Sequence, residues 1–391
     1  MRVMGVEERR ARLGARHHLA ASAKAADPVD VADRLTGLHG TDPASVFLAA
    51  SARLRQPDFG AIERALYDDR RLVRMLAMRR TMWVLPIELA GIAQAAATDA
   101  VAARERKRLE QMVADGGIAD DVTSWLAEAE RATLTALAAR CEATGAELSK
   151  DVPVLREQFL FGVGTKWEGT QSATTRMLLL LAAEGKIVRT RPRGSLISSQ
   201  YRWTALDSWL PGGLPRWDRE PARVELVRRW LSAFGPATVA DVKWWTGWTL
   251  GDTRRALAEV GAVEVELDGE AGIVLPDDLE PVAPVEPWIA LLPALDPTAM
   301  GWAGRAWYLG DHGPALFDRS GNVGPTVWSD GRIVGGWAQR ADGTVVFRLL
   351  EDVGWEAEAA VQSVAERLSE QLGATRVTPR FRTPLERELV A

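Results

Sequence analysis

The chain has a single cysteine, Cys141, in 391 residues. One thiol cannot close an internal disulfide, which excludes a disulfide-stapled scaffold and suits the cytoplasm. Histidine is nearly as scarce, with only His17, His18, His39 and His312. Neither these nor the cysteine stand at zinc-ligand spacing, so no metal and no cofactor is expected. No apolar run approaches the length of a membrane span, and Met1 to Ala26 is too basic and too broken for a signal peptide. Lysine is rare as well. Only six of the 48 basic residues are lysine and the rest are arginine, a skew that reads first as high-GC bacterial coding. The formal net charge of −5 excludes a chain that coats nucleic acid nonspecifically. Any DNA contact has to come from local basic surfaces.

What is present is an ordinary globular composition, 47% hydrophobic and 26% charged, in a chain long enough for several domains. The middle is the most legible part. Thr170 to Glu184 has helical periodicity and Gly185 ends it. Lys186–Arg191 then reads as a strand, Pro192-Arg193-Gly194 as a turn and Ser195–Trp203 as a returning strand. Helix, glycine and basic hairpin make the second half of a winged helix, with its first helices over Glu130–Glu142 and after Ser149. The pattern recurs from Pro221. A helix runs to Phe234, Thr238 with Asp241 and Thr249 with Asp252 are candidate capping boxes, and Val263–Leu267 with Ile273–Leu275 form a hairpin around Asp268-Gly269-Glu270. By analogy a first module spans helices over 28–37, 42–54 and 60–70 and strands near Leu72–Leu76 and Thr81–Leu85.

Beyond a proline-rich linker, Pro276–Pro287, the signal turns to strands at Trp288–Leu292, Ala306–Leu309, Thr326–Trp328, Arg332–Trp337 and Thr344–Leu350. Asp330-Gly331 and Asp342-Gly343 are hairpin turns of the positive-φ type. An amphipathic helix over Trp355–Leu372 and a short strand near Arg376 close the chain. The expected fold is α+β, mainly α in the N-terminal two thirds: three tandem winged-helix modules followed by a β-barrel-like domain. The expected boundaries are 1–120, 121–210, 211–278 and 288–391.

Leu35 to Arg53 is the most informative stretch. An apolar helix end meets His39-Gly40-Thr41, and Asp42-Pro43 then starts a second helix, with Asp42 as N-cap and Pro43 at the first position. In extended chain, residues two apart share a side, so His39 and Thr41 are expected to face one cleft. This segment resembles the start of the winged-helix DNA glycosylases that excise alkylated bases and unhook interstrand crosslinks, the type found in azinomycin self-resistance. A Gln–apolar–Gln or Gln–apolar–Asp triplet holds this place in that family. Met78-Arg79-Arg80-Thr81, Gly235-Pro236-Ala237-Thr238 with Trp244-Trp245, Leu291 to Pro297, and Val327 to Gly335 continue the resemblance. It covers roughly Val29 to Arg382.

The resemblance implies a monofunctional DNA glycosylase acting on double-stranded, alkylated or crosslinked DNA, as a cytoplasmic monomer, with the triplet as its catalytic centre. Candidate catalytic residues are therefore His39, Thr41 and Asp42. Neutral His39 can accept a proton from water, its imidazolium can protonate the leaving base, and Asp42 can supply negative charge to an oxocarbenium-like sugar. Candidate DNA contacts are Arg79 and Arg80, the polar helix start Gln171, Ser172 and Thr174, and the basic wing Arg189, Arg191 and Arg193. The third wing carries Glu264, Glu266, Asp268 and Glu270 and is assigned to packing, as are most of the 16 tryptophans. His39 also fits a backbone-bonded histidine at a helix junction. Two other functions stay open: a non-catalytic DNA binder or transcription regulator, and a protein-interaction module of stacked winged helices.

Overall fold

The computed structural model describes residues 1–391 apart from 162, 163, 165–167 and 196. The first unit starts with helices α1 (Val6–Arg16) and α2 (Pro28–Arg34), the two-residue strand β1 (Leu38–His39), and helices α3 (Pro43–Ser51) and α4 (Phe59–Glu63). Strands β2 (Leu72–Leu76) and β3 (Met82–Pro86) follow, in antiparallel order β1-β3-β2. Asp42 caps α3 as the sequence predicts, its Oδ1 accepting the Ala44 amide at 3.1 Å with Pro43 in the first turn. Leu35, Leu38, Val46, Phe47, Leu72 and Val84 are buried together on one side of the sheet. Helices α5 (Ile87–Ala93) and α6 (Asp99–Asp115) lead out of the unit.

The second unit comprises α7 (Val122–Arg140), α8 (Gly145–Asp151), the strand pair β4 (Gln158–Phe161) and β5 (Gly169–Ser172), α9 (Ala173–Ala183), and the hairpin β6 (Ile187–Arg189) and β7 (Trp203–Ala205). The returning strand is thus much shorter than Ser195–Trp203, and Leu196 within that expected strand lies outside the described residues. Pro192 lacks an amide donor, so the ladder lapses beyond β6. Isolated bonds such as Thr190 N to Arg202 O at 2.9 Å keep the two arms of the loop together. After α10 (Leu206–Trp209), the third unit consists of α11 (Arg219–Phe234), α12 (Val239–Thr246), α13 (Leu250–Glu259) and the hairpin β8 (Val263–Leu267) and β9 (Glu270–Val274). Both halves of the Thr238–Asp241 capping box form. The free edge of the acidic hairpin is covered by the N-terminus, Met4 N donating to Glu266 O at 2.9 Å and Glu266 N to Arg2 O at 2.8 Å.

The C-terminal unit departs from expectation in three places. Its strands β10 (Ile289–Leu292), β11 (Thr326–Ser329), β12 (Arg332–Gln339) and β13 (Val345–Leu349) form an open antiparallel sheet in sequence order, not a barrel. Leu291, Val327, Val334, Trp337 and Val345 pack against Val361, Ala365 and Leu372 of the helix over Trp355–Leu372, so a helix covers the face that closure would otherwise bury. Ala306–Leu309 is a helical turn, α14, and α15 (Gly313–Leu316) follows it before the helix α16 (Trp355–Leu372) and the terminal α17 (Pro384–Leu389). A four-residue apolar run carries no periodicity that separates strand from helix. No strand forms near Arg376, whose guanidinium instead donates to the carbonyls of Ala341 and Asp342. Among the described residues no helix is long and apolar enough to cross a membrane.

The units are locked together at one buried ion pair. Arg53, at the end of α3, is fully buried and makes a bidentate bond to Asp296 at 2.7 and 2.8 Å. Thr298 accepts from the same guanidinium, and its hydroxyl also bonds His17 Nδ1 at 2.8 Å. Trp83, Trp230, Trp245, Trp302 and Trp328 are all fully buried, in keeping with the packing role expected of them.

Candidate active site at the His39 triplet

Thr36 (φ 53°) and Gly37 (φ 108°) turn the chain from α2 into β1. A Cβ at Gly37 would meet Leu85 Cδ2 at 2.4 Å, so this turn requires glycine for space as well as for conformation. Antiparallel register sets Leu38 opposite Val84 and His39 opposite Trp83, with Val84 opposite Arg74 and Trp83 opposite Met75. Cross-strand partners share a face. His39, Trp83 and Met75 therefore lie on one side of the sheet, and Leu38, Val84 and Arg74 on the other.

Gly40 belongs with Arg74. The Arg74 Nη1 donates to the Gly40 carbonyl at 2.6 Å, and a Cβ at position 40 would sit 3.0 Å from that nitrogen and 3.3 Å from the Trp83 carbonyl carbon. An apolar side chain has no room in the middle of this triplet because an arginine occupies the space. Arg74 is only 2% exposed, and its Nε and Nη2 have no hydrogen-bond partner among the described residues.

His39 is 5% exposed, its ring 5.4 Å from that of Trp83, which packs edge-on against Trp245. Burial, and secondarily the charge of Arg79, push its pKa down to about 3. The imidazole is therefore neutral over the whole physiological range, and protonating a base from an imidazolium is closed to it. Its Nδ1 is buried and has no hydrogen-bond partner among the described residues, and the same holds for Thr41 Oγ1. Asp42 is buried with both oxygens engaged: Oδ1 caps α3, and Oδ2 accepts the Arg380 amide at 3.0 Å.

The other candidates are scattered around this centre. Arg79 and Arg80 occupy the tip of the β2–β3 hairpin with φ of 54° and 58°, a conformation side chains adopt at a cost. Arg79 stacks 4.0 Å from the Trp244 ring, with no carboxylate partner among the described residues and its pKa lowered to about 10 by burial and by Arg305. Arg80 is bonded to Glu105 at 2.5 Å. Gln171 lies in β5 opposite Phe159, and Ser172 caps α9. Thr174 faces inward, donating to Leu155 O at 2.8 Å. On the wing, Arg191 pairs with Asp68 and Glu63 of the first unit, and Arg193 with Glu147. Arg189 has no such partner among the described residues, and stacks on Tyr201 and Trp203 at 5.3 and 5.0 Å.

The structure thus brings His39, Thr41, Asp42 and Arg79 together and leaves Gln171, Ser172 and Thr174 in the second unit. It also assembles Trp244 of the Trp244-Trp245 pair and Arg74, Arg305, Arg380 and Tyr201 around the triplet, the last four not singled out from the sequence. Arg74 alone had a signal: it interrupts the buried-strand run Leu72-Val73-Arg74-Met75-Leu76, and arginine is rarely buried without a reason.

A family model described as DNA glycosylase AlkZ-like matches residues 32–371. Among solved structures, the Streptomyces sahachiroi DNA glycosylase AlkZ aligns over 97% of this chain and 100% of its own, with a TM-score of 0.73 and 21% sequence identity. That level of identity speaks for a common fold. No curated protein matches the chain significantly.

Proposed function

The chain belongs to the AlkZ-like DNA glycosylase family, and from that membership we propose that it binds double-stranded DNA and hydrolyses the N-glycosidic bond of an alkylated or crosslinked base at His39-Gly40-Thr41. The observation that carries this reading is the pair of buried polar atoms in one triplet, His39 Nδ1 and Thr41 Oγ1, without partners among the described residues. A buried orphan costs about 1–3 kcal/mol, and native proteins retain such atoms where a ligand or a reacting water completes them. In this mechanism the bond between C1′ and the base nitrogen breaks with its electron pair on the base. A base already cationic by alkylation leaves neutral and needs no acid, which suits a histidine that stays unprotonated. His39 and Thr41 then hold the water that adds to C1′, and its proton passes to solvent. Asp42, charged and adjacent, favours the oxocarbenium-like sugar while it caps α3. The three helix–hairpin units are proposed to be winged helices acting in a monomer.

Incubating the protein with duplex carrying N7-methylguanine and scoring abasic sites by alkaline cleavage tests this directly. Release by the parent is expected, with a His39→Ala loss of roughly a hundredfold and DNA affinity kept. Absence of abasic sites with DNA binding retained would favour the second reading, a non-catalytic DNA binder. The observation on its side is the unpaired charge of Arg79 beside His39, which opposes a developing cation.

A further inference from the structure

Three arginines from separate parts of the chain converge on the Gly40 side of the sheet. Arg74 comes from β2, Arg189 from β6 and Arg380 from the segment after α16. The Arg74 and Arg189 guanidiniums lie 5.1 and 5.3 Å from the ring of the same tyrosine, Tyr201. Arg380 is exposed, its amide bonded to Asp42, and its charge reaches Arg189. Among the described residues none of the three has a carboxylate within ion-pair distance, although 30 such pairs occur elsewhere. Burial of Arg189, with Arg74 and Arg380 nearby, lowers its pKa to about 10. Like charges gathered in a half-buried place without a counter-ion are costly.

The unused hydrogen-bonding capacity is all of one kind. Among the described residues Arg74 Nε and Nη2 are buried donors without an acceptor in good geometry, with the Tyr67 hydroxyl beside the same guanidinium, and its third nitrogen already polarises the Gly40 carbonyl. Arg74 and Arg189 also border a neighbouring cavity of about 290 Å³, lined mainly by apolar side chains such as Val73, Leu178, Trp203 and Leu206, with Gln94 and Thr175. Planar donors and concentrated positive charge together describe a receptor for an acceptor-rich anion, and guanidinium forks match phosphate best.

We propose that Arg74, Arg189 and Arg380 form a phosphate-binding site on the Gly40 side of the triplet, which holds the phosphate of a nucleotide. Its source as a linkage of the DNA strand rests on the glycosylase reading. The site itself does not, because a free nucleotide or inorganic phosphate satisfies the same donors. Arg74 is a positioning residue here: a phosphate on its free edge would fix the guanidinium that holds the Gly40 carbonyl, and so the triplet's backbone.

Two measurements test this. Inorganic phosphate, compared with sodium chloride at equal ionic strength, should raise the Tm of the parent and leave that of Arg189→Gln/Arg380→Gln unmoved. Arg189 is only partly buried and Arg380 is exposed, so the variant keeps the test open if Arg74→Gln fails to fold. Separately, duplexes carrying one neutral methylphosphonate at successive linkages around the lesion should show one position where Kd weakens about tenfold. The Arg189→Gln variant should be insensitive to that position, with a salt slope flatter by about 1. A Tm rise without DNA binding would establish the site for free phosphate and remove the DNA reading. Base release with no phosphate effect and no sensitive linkage would overturn the site and leave the glycosylase reading intact.

Discussion

Gly40 and Arg74 constrain each other. The guanidinium fills the volume a side chain at position 40 would need and takes the Gly40 carbonyl as its partner. Gly40→Ala should therefore push Arg74 off that carbonyl and lower stability by about 1–3 kcal/mol, read as a shift in urea midpoint, with binding of phosphate-bearing ligands weakened in parallel. His39 makes a different prediction. Its folded pKa, about 3, lies below the ordinary value of 6.5, so below about pH 6.5 the unfolded chain takes up a proton that the folded one refuses. The stability it contributes is complete above the unfolded value and is lost as pH falls towards the folded one, at up to about 1.4 kcal/mol per pH unit. His17, also buried and lowered, acts in the same direction. Urea titrations between pH 7 and 4.5 should show a steeper fall in the parent than in His39→Gln, and base release should show no step near pH 6.5.

At the scale of elements, α3 joins the triplet to the C-terminal chain through one side chain. Asp42 ends the β1 segment, caps α3 and holds the Arg380 amide. Removing it by Asp42→Ala should cost about 1–2 kcal/mol for the cap. It should also speed hydrogen exchange at Arg380, because that amide loses its acceptor; unchanged exchange there would mean that the segment is held by other contacts. The wing hairpin behaves differently. Arg191 and Arg193 are balanced by exposed carboxylates, and such pairs contribute little and exchange readily. Their arginines are available to a phosphate in a way that Arg80, bonded to nearly buried Glu105, is not.

Over the whole molecule, the Arg53–Asp296 pair links the segment that carries the triplet to the open C-terminal sheet. Both ends of this link lie in stretches that carried the family resemblance, Leu35 to Arg53 and Leu291 to Pro297. Removing one partner leaves a buried charge, so Asp296→Ala should destabilise the protein by about 3–5 kcal/mol. Replacing both, as Arg53→Met with Asp296→Leu, should cost less than the single change, because neither charge is then stranded. Equilibrium unfolding of Arg53→Met, Asp296→Leu and the double variant gives the coupling. A double variant as unstable as the sum of the two single changes would show that the pair acts through something other than mutual neutralisation.

Sequence alone determined the features that depend on neighbours along the chain. The Asp42 cap, the Thr238–Asp241 box, the Trp355–Leu372 helix and the Asp330-Gly331 turn, both of whose residues take positive φ, all follow from side chains within four residues of the groups they satisfy. The location of the triplet between two helices was legible for the same reason. Environment was not. That His39 is neutral, that both Asp42 oxygens are taken, that Arg74 fills the space beside Gly40 and that the last sheet stays open all depend on elements far away in sequence. The barrel expectation failed because alternating strands bury one face equally well by closing on themselves or by receiving a helix, and only packing chooses between them. Arg189 was legible as part of the basic wing, but Arg74 and Arg380 were not, because one sits inside a strand and the other near the end of the chain. Only the tertiary structure sets Arg74 and Arg189 on one tyrosine and brings the charge of Arg380 to bear on Arg189, since charge acts through space whereas a motif is read along the chain.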